Sequence, residues 1–248
     1  MTKIVAIHQP CFFPWLGYFD RMLTADLFVI LDHVQFERRN YQNRTLIRIE
    51  DESKWLTVPV VQLSQKEKIV DKMVDNPADL SGTRWWGPNS FNTLKYAYRK
   101  APHFDAYASA LREIFEARWD KLLDLDMATL DFIRGHLGID TPIIRSSTLD
   151  VTGQRSGLLL DICRNVGASA FLGGMGGSRD YLDHEAFAAA GMGVQWQEFS
   201  HPVYPQPGAA PFIKGLSALD LLFNCGPRSA EILRARTPAK SDELLAAA

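Results

Sequence analysis

Two short apolar runs, separated by a helical pattern, open the chain. Residues 3–7 are nearly all apolar, as in a strand buried on both faces, and Pro10 and Pro14 prevent that strand from continuing. Residues 15–24 carry apolar side chains at helical spacing, and residues 26–31 form a second apolar run. The order strand, loop, helix, strand predicts that the two strands pair in parallel.

The middle of the chain changes from strand to helix periodicity. Residues 45–49 and 55–61 have strand-like patterns around a polar turn at 50–54, which predicts an antiparallel hairpin. From about residue 85 to 137 the apolar positions follow helical spacing, with a break at Pro102. We therefore expect a helical part in the middle of the chain.

Strand and helix patterns alternate in the later part of the chain. In order, they are a strand at 141–145, a helix at 157–166, a strand at 170–172, a helix at 179–190 and a strand at 194–199. A glycine-rich loop at 173–177 follows the second of these strands, which repeats the theme of the opening. The predicted fold class is α/β, with a mixed, mostly parallel sheet flanked by helices and a helical insertion in the middle of the chain.

Length and composition fit a single domain. The chain has 248 residues, of which 46% are hydrophobic and 23% charged, as in ordinary globular proteins. We expect one α/β domain over residues 1–237, with a helical subdomain at about 85–137, and a flexible tail at 238–248.

Charge and cysteine content argue against several classes of function. There are 27 basic and 29 acidic residues, so we expect no non-specific nucleic-acid binding. The three cysteines are widely spaced and form no CxxC pair, which predicts neither a disulfide framework nor a metal site. No stretch approaches the ~18 apolar residues that a membrane span needs. We therefore expect a cytoplasmic protein without membrane insertion.

Polar side chains follow the first two predicted strands. His8 and Gln9 end the first strand and Asp32 ends the second, and ligands of open α/β sheets bind beyond the carboxyl ends of strands. His8 is a candidate acid or base, or a core histidine bonded to the backbone. Cys11 is either a nucleophile near the start of the next helix or a small buried thiol.

A basic segment follows Asp32. Between Gln35 and Arg44 it also contains Arg38, Arg39 and Asn43. Guanidinium groups match phosphate and carboxylate oxygens in bidentate fashion, so the segment is a candidate cradle for an anion. A solvated loop is the alternative.

Two later features have both functional and structural interpretations. The glycines of residues 173–177 lack the GxGxxG order and a Walker lysine, but they would let backbone amides approach an anion. A tight turn is the alternative. Ser217 is expected to cap a helix whose first turn holds Asp220.

Six segments together resemble the WbqC-like family in order and spacing, across nearly the whole chain. They are HQPCFFPWLGYFDRM, DLFVILDHVQFERRNYQNRTLI, WLTVPV, LGIDTPIIRSSTL, FLGGMGGSRDYLD and YPQPGAAPFIKGLSALDLLFNCG. The resemblance carries over a set of residues, namely Gln9, Pro10, Pro14, Gly17, Tyr18, Asp32, Arg39, Asn43, Arg44, Gly174, Gly177, Tyr181, Ser217 and Asp220. Cys11 stands where the family usually has an aromatic residue, and position 8 of the family can be Met as well as His.

The resemblance implies work on nucleotide-linked sugars, because family members often lie among genes for O-antigen and other surface polysaccharides. The leading hypothesis is a transferase that acylates or aminoacylates the amino group of a nucleotide-linked amino sugar, with His8 and Asp32 as catalytic candidates. The substrate-binding candidates are Gln9, Tyr18, Gln35, Arg39, Asn43, Arg44, Gly174, Gly177, Ser178, Tyr181, Ser217 and Asp220.

The acyl donor stays open. It would be activated by ATP with magnesium, or it would be an acyl thioester or an aminoacyl-tRNA. A second hypothesis is an ATP-binding ligase or nucleotidyltransferase of the HIGH type, to which the opening strand, loop and helix are similar, although Tyr18 stands in place of that motif's second histidine. A third is a non-enzymatic scaffold for polysaccharide enzymes, which predicts a large apolar patch and no polar pocket.

Overall fold

The strands form two separate sheets. The computed structural model of the chain describes residues 2–77, 85–176, 178–208 and 211–235. Its strands are β1 (Ile4–His8), β2 (Leu27–Ile30), β3 (Arg44–Ile49), β4 (Glu52–Thr57), β5 (Ile143–Arg145), β6 (Ala170–Gly173) and β7 (Gly193–Trp196). The order in the larger sheet is β5-β2-β1-β6-β7, and every pairing in it is parallel.

β1 lies in the middle of the larger sheet. Val5 is opposite Leu27 of β2 on one side and Phe171 of β6 on the other. The predicted parallel pairing of the first two strands is therefore confirmed. The predicted hairpin is also confirmed: β3 and β4 pair antiparallel, but they form a sheet of their own and do not join the larger one.

Helices cover both faces of the larger sheet, which confirms the predicted fold class. They are α1 (Leu16–Thr24), α2 (Trp86–Tyr98), α3 (Phe104–Glu116), α4 (Leu122–His136), α5 (Arg155–Asn165), α6 (Ser178–Tyr181), α7 (His184–Ala189), α8 (Ala218–Cys225) and α9 (Ser229–Arg234), with single 3₁₀ turns at Ile69–Asp71, Ser146–Thr148 and Gly226–Arg228. Helices α2, α3 and α4 occupy the segment predicted to be helical. No helix among the described residues is both long enough and apolar enough to cross a membrane.

The apolar character of β1 follows from its position between two cores. Successive side chains of a strand point to opposite faces. Val5 and Ile7 pack with residues of α5 and α7 in the smaller core, whereas Ala6 packs with residues of α1, α4 and α8 in the larger one. Both faces of the strand are thus buried, as the unbroken apolar run predicts.

The loop after β1 is anchored by the helical part of the chain. The backbone N–H of Phe13 donates to Thr129 Oγ1 of α4 at 3.2 Å, and Thr45 Oγ1 of β3 donates to the Phe13 carbonyl at 2.8 Å. The Phe13 ring lies 5.6 Å from the ring of Phe115 in α3. Phe13 adopts a left-handed backbone conformation with φ of 43°, so these contacts fix a conformation that a non-glycine residue rarely adopts.

Some predicted boundaries differ from the observed ones. The single helix predicted at 179–190 is two helices, α6 and α7, because Asp183 caps α7 by accepting a hydrogen bond from the Ala186 N–H at 2.9 Å. The last strand ends at Trp196, three residues earlier than predicted. The predicted tail at 238–248 lies outside the described residues.

Candidate functional site

A cleft opens at the carboxyl ends of β1 and β6. β2 lies on one side of β1 and β6 lies on the other, so the strand order reverses between β1 and β6. Ligands of open α/β sheets bind at such reversals. The cleft has a volume of about 340 Å³, and its lining residues are Ile7, His8, Gln9, Arg21, Leu31, Glu37, Leu159, Phe171, Gly174, Gly176 and Tyr181.

Arg21 of α1 contributes a buried cation to this cleft. Arg21 is only 6% exposed, and its buried Nε has no hydrogen-bond partner among the described residues. No salt bridge or hydrogen bond to its guanidinium group is found within the described part of the chain, although the buried Asp20 carboxylate of the same helix interacts with it electrostatically. Burial lowers the pKa of Arg21 to about 10, so the group stays protonated at neutral pH. A buried arginine with an unpartnered Nε, facing a cleft, is suited to an anionic ligand.

Gly174 makes room for the guanidinium group. A Cβ atom at this position would lie 2.2 Å from Arg21 Nη1. A larger residue at position 174 would therefore push the guanidinium group out of its place, because the group lies directly against the backbone. Gly174 and Arg21 together form the floor of the cleft.

His8 forms part of the wall as a neutral imidazole. Its Nδ1 lies 2.8 Å from the Gln9 carbonyl oxygen, which assigns the proton to Nδ1 and leaves Nε2 as an acceptor. The ring packs edge-on against Tyr18, with centroids 4.9 Å apart. Burial, followed by the charge of Arg21, lowers the pKa of His8 to about 3. At neutral pH, His8 is thus a hydrogen-bond acceptor and a weak base.

The rim of the cleft is held by a chain of amide side chains. Gln42 Nε2 donates to Gln9 Oε1 at 2.9 Å, and the Glu37 N–H donates to Gln42 Oε1 at 3.0 Å. Tyr181 also lines the cleft, and burial, followed by the charge of Glu37, raises its pKa. The Tyr18 hydroxyl donates to the Gln9 carbonyl at 3.4 Å from beneath the wall.

Asp32, predicted to be catalytic, is engaged in a clamp between β2 and the residues after β5. Its carboxylate accepts hydrogen bonds from Arg145 Nε at 2.7 Å, from Ser146 Oγ at 3.0 Å, and from the N–H and Oγ of Ser147 at 2.8 and 2.7 Å. Burial would raise the pKa of Asp32, but the bonds from Ser147, Arg145 and Ser146 outweigh it and lower the pKa. Asp32 is not among the residues that line the cleft.

The predicted arginine cradle borders a second, smaller hollow of about 140 Å³. Arg39, Asn43 and Arg44 all line it. The Arg44 guanidinium lies 3.9 Å from the Trp55 ring centroid and donates to the Arg39 carbonyl. Asn43 Nδ2 donates to the Val58 carbonyl at 2.8 Å, which fastens the end of the hairpin. Of the segment after Asp32, Glu37 therefore lines the cleft, whereas Arg39, Asn43 and Arg44 line the smaller hollow.

The remaining predicted residues lie elsewhere. Gln35 is exposed and donates to the Gln65 carbonyl at 2.8 Å. Ser217 caps α8 by accepting a hydrogen bond from the Leu219 N–H at 3.3 Å, as predicted. Asp220 is buried and accepts hydrogen bonds from Tyr204 and Gln206 at 2.8 and 2.7 Å. Gly177 lies outside the described residues, as does the side chain of Ser178.

Cys11 is a buried thiol. Burial, followed by the charge of Asp126, raises its pKa well above the ordinary value, and its Sγ lies 3.7 Å from the Gln9 carbonyl oxygen. Both effects favour the protonated thiol, which disfavours the nucleophilic role considered from the sequence.

Four of the residues that line the cleft were predicted from the sequence, and the two charged residues Arg21 and Glu37 were missed. The four predicted residues are His8, Gln9, Gly174 and Tyr181. The available signal for Arg21 was an arginine three positions after Tyr18 on the helix that follows the first strand, within an otherwise apolar face.

Comparison with known proteins agrees with the resemblance found in the motifs. The model of the WbqC-like protein family matches residues 9–232. The uncharacterized protein Rv1507c of Mycobacterium tuberculosis is 31% identical over 235 residues, a match that covers 94% of this chain and 98% of that protein. No solved structure gives a significant match. The chain belongs to the WbqC-like protein family.

Proposed function

We propose that this protein is a cytoplasmic transferase of O-antigen or surface-polysaccharide biosynthesis that acylates or aminoacylates a nucleotide-linked amino sugar. The observation that carries the proposal is Arg21, whose buried guanidinium group has an unpartnered Nε and lines the cleft at the reversal of strand order. A nucleotide diphosphate supplies the anion that such a group would bind. The family membership supports the same class of substrate.

The wall residues suit the acceptor end of the reaction. His8 Nε2 is a free acceptor that would take a hydrogen bond from the attacking amine, and so orient the nitrogen lone pair toward the acyl carbon. The ammonium group first gives one proton to solvent, and the neutral amine attacks. The new C–N bond forms as the bond to the leaving group breaks, and the second proton departs with that leaving group. An anion on Arg21 would offset the positive charge that lowers the pKa of His8, and so strengthen it as a base.

The identity of the donor decides which further groups are needed. An ATP-activated acid would place its phosphates against Arg21 and the Gly174 backbone, with magnesium brought by the nucleotide. A thioester or an aminoacyl-tRNA would bring its own activated carbonyl and would need neither ATP nor magnesium. In each case, the floor formed by Arg21 and Gly174 would bind the phosphate groups of either the donor or the acceptor nucleotide.

The test is ligand binding to the cleft. Titration calorimetry with UDP-, GDP- and dTDP-linked amino sugars would be compared for the wild type, Arg21→Met and Arg164→Met. Arg164 is the matched control because it is exposed on α5. The C-terminal end of that helix lies near Lys3, at the amino-terminal end of β1 and away from the cleft. We expect at least one nucleotide sugar to bind, with loss of ~10-fold or more in affinity only in Arg21→Met. Equal affinity of all three proteins would refute the location of the site.

An ATP-binding ligase or nucleotidyltransferase is the second candidate. The observation in its favour is the parallel sheet with a cleft at the strand-order reversal, an arrangement that binds nucleotides in many unrelated enzymes. Binding of ATP with magnesium, together with no binding of any nucleotide sugar, would favour this candidate. A scaffold role is less well supported, because that hypothesis predicted no polar pocket.

A further inference from the structure

The cleft contains an acidic group as well as a basic one. Glu37 lines it, is exposed at the rim, and has its backbone fixed through Gln42. Arg21, which is nine-tenths buried, lies at the floor. The charges are thus placed at two different depths of one cavity.

Glu37 has an oxygen left for a ligand. Oε2 accepts a hydrogen bond from Asn40 Nδ2 at 2.7 Å, which orients the carboxylate. Although Arg38 and Arg39 follow it in sequence, no ion pair is formed between Glu37 and a cation in the described part of the chain. Oε1 accepts no hydrogen bond from another described residue, so it is open to a donor on a ligand in the cleft that Glu37 lines.

We infer that the cleft selects ligands that carry both an anionic group and a free amine, with Arg21 binding the anion and Glu37 binding the ammonium group. This inference rests on the proposed function and adds the residue that recognises the amine of the acceptor. Arg21 and Glu37 form no salt bridge with each other, so a ligand that carries both charges can pair with both side chains at once.

One consequence is discrimination between substrate and product. Acylation converts the ammonium group into a neutral amide, which has no charge for Glu37 to bind. The product then keeps its contact with Arg21 and loses the contact with Glu37. We expect the free amine to bind more tightly than the N-acyl form by about 2- to 5-fold, the size of an exposed ion-pair contact.

The test compares three sugars on the same nucleotide. UDP-glucosamine, UDP-glucose and UDP-N-acetylglucosamine, and the corresponding dTDP-linked set, would be titrated at pH 7 into the wild type, Glu37→Gln, Glu113→Gln and Arg21→Met. Glu113 is exposed on α3 and serves as the matched control. Glu37→Gln should retain affinity for the hydroxyl sugar and lose the preference for the amine, and Glu113→Gln should behave as the wild type does.

The outcomes separate this inference from the proposed function. If amine and hydroxyl sugars bind equally well while binding still depends on Arg21, the role of Glu37 is wrong and the proposed site stands. If the amine preference survives in Glu37→Gln, the role of Glu37 is also wrong. If no nucleotide sugar binds to the wild type, both the proposed function and this inference are overturned. Asn40→Ala, which frees Glu37 Oε2, gives a second variant with an expected partial loss of the preference.

Discussion

Replacement of Asp32 by asparagine tests whether this carboxylate holds the fold or performs chemistry. The residue is fully buried and accepts four hydrogen bonds. Two of the donors, Arg145 Nε and the Ser147 N–H, cannot act as acceptors. The amide of Asp32→Asn has one oxygen and one NH₂ group, so one of these obligatory donors must face another donor. The clamp therefore cannot be kept intact.

The expected cost follows from the contacts. A lost hydrogen bond to a charged group costs ~1.5–3 kcal/mol, and breaking a fully buried ion pair costs ~3–5 kcal/mol. The side chain of Arg145 is 38% exposed, so water would solvate its unpaired charge and keep the cost near the lower value. We expect a loss of about 3 kcal/mol in the free energy of unfolding, which corresponds to a fall in Tm of roughly 6–12 °C for a chain of this length.

The assay is thermal and urea unfolding of the wild type, Asp32→Asn and Asp140→Asn. Asp140 is exposed and serves as the control. Because the pKa of Asp32 is lower in the folded state, its stabilising effect is fully present above the unfolded pKa of about 3.9 and is lost as the pH falls through the folded value. The difference between the variants should therefore shrink in acid. A variant that melts within ~2 °C of the wild type at pH 7 but has no activity would refute the clamp and restore the catalytic role.

Three further predictions concern the buried polar groups. Removal of the Arg21 charge in Arg21→Met should raise the pKa of His8 above its value of about 3, although burial should still keep it below 6.5, as followed by NMR titration of the imidazole. Gly174→Ala should displace the guanidinium group and weaken nucleotide-sugar binding in titration calorimetry, whereas Gly135→Ala, at an exposed helix position where a Cβ has open space, should leave binding unchanged. Asp126 is buried, neither of its carboxylate oxygens has a hydrogen-bond partner among the described residues, and burial raises its pKa. Wild-type stability should therefore fall as the pH rises above about 3.9, and Asp126→Asn should remove that slope in urea unfolding between pH 5 and 9; an unchanged slope would contradict it.

The sequence predicted the layered fold because its signals are local. The apolar runs of β1 and β2 reflect burial on both faces, and the helical spacing of residues 85–137 reflects one packed face in each helix. The break between α6 and α7 was missed, since Asp183 competes with the helix backbone as a cap, and a periodic apolar pattern does not reveal that competition.

The site was less predictable because its charges depend on partners that are distant in sequence. Asp32 ends a strand, where catalytic residues often lie, but its role depends on Arg145 and the serines that follow, more than 110 positions away. Arg21 is notable because its buried Nε has no hydrogen-bond partner among the described residues, a property that no sequence pattern expresses. Gly174 was predicted as an approach point for an anion, whereas in the structure the group that approaches it is the arginine side chain.

The central position of β1 has a consequence for the order of folding during synthesis. β1 pairs with β2 across a separation of about 20 residues, but its other edge waits for β6, whose residues follow some 165 positions later. At typical translation rates of ~5–20 residues per second, that edge stays unpaired for roughly 8–33 s after β1 is made. A nascent chain with an open, apolar strand edge is a substrate for chaperones and a hazard for aggregation. The hydrogen bonds that complete the sheet also complete the cleft, so the ligand site is among the last parts of the molecule to form.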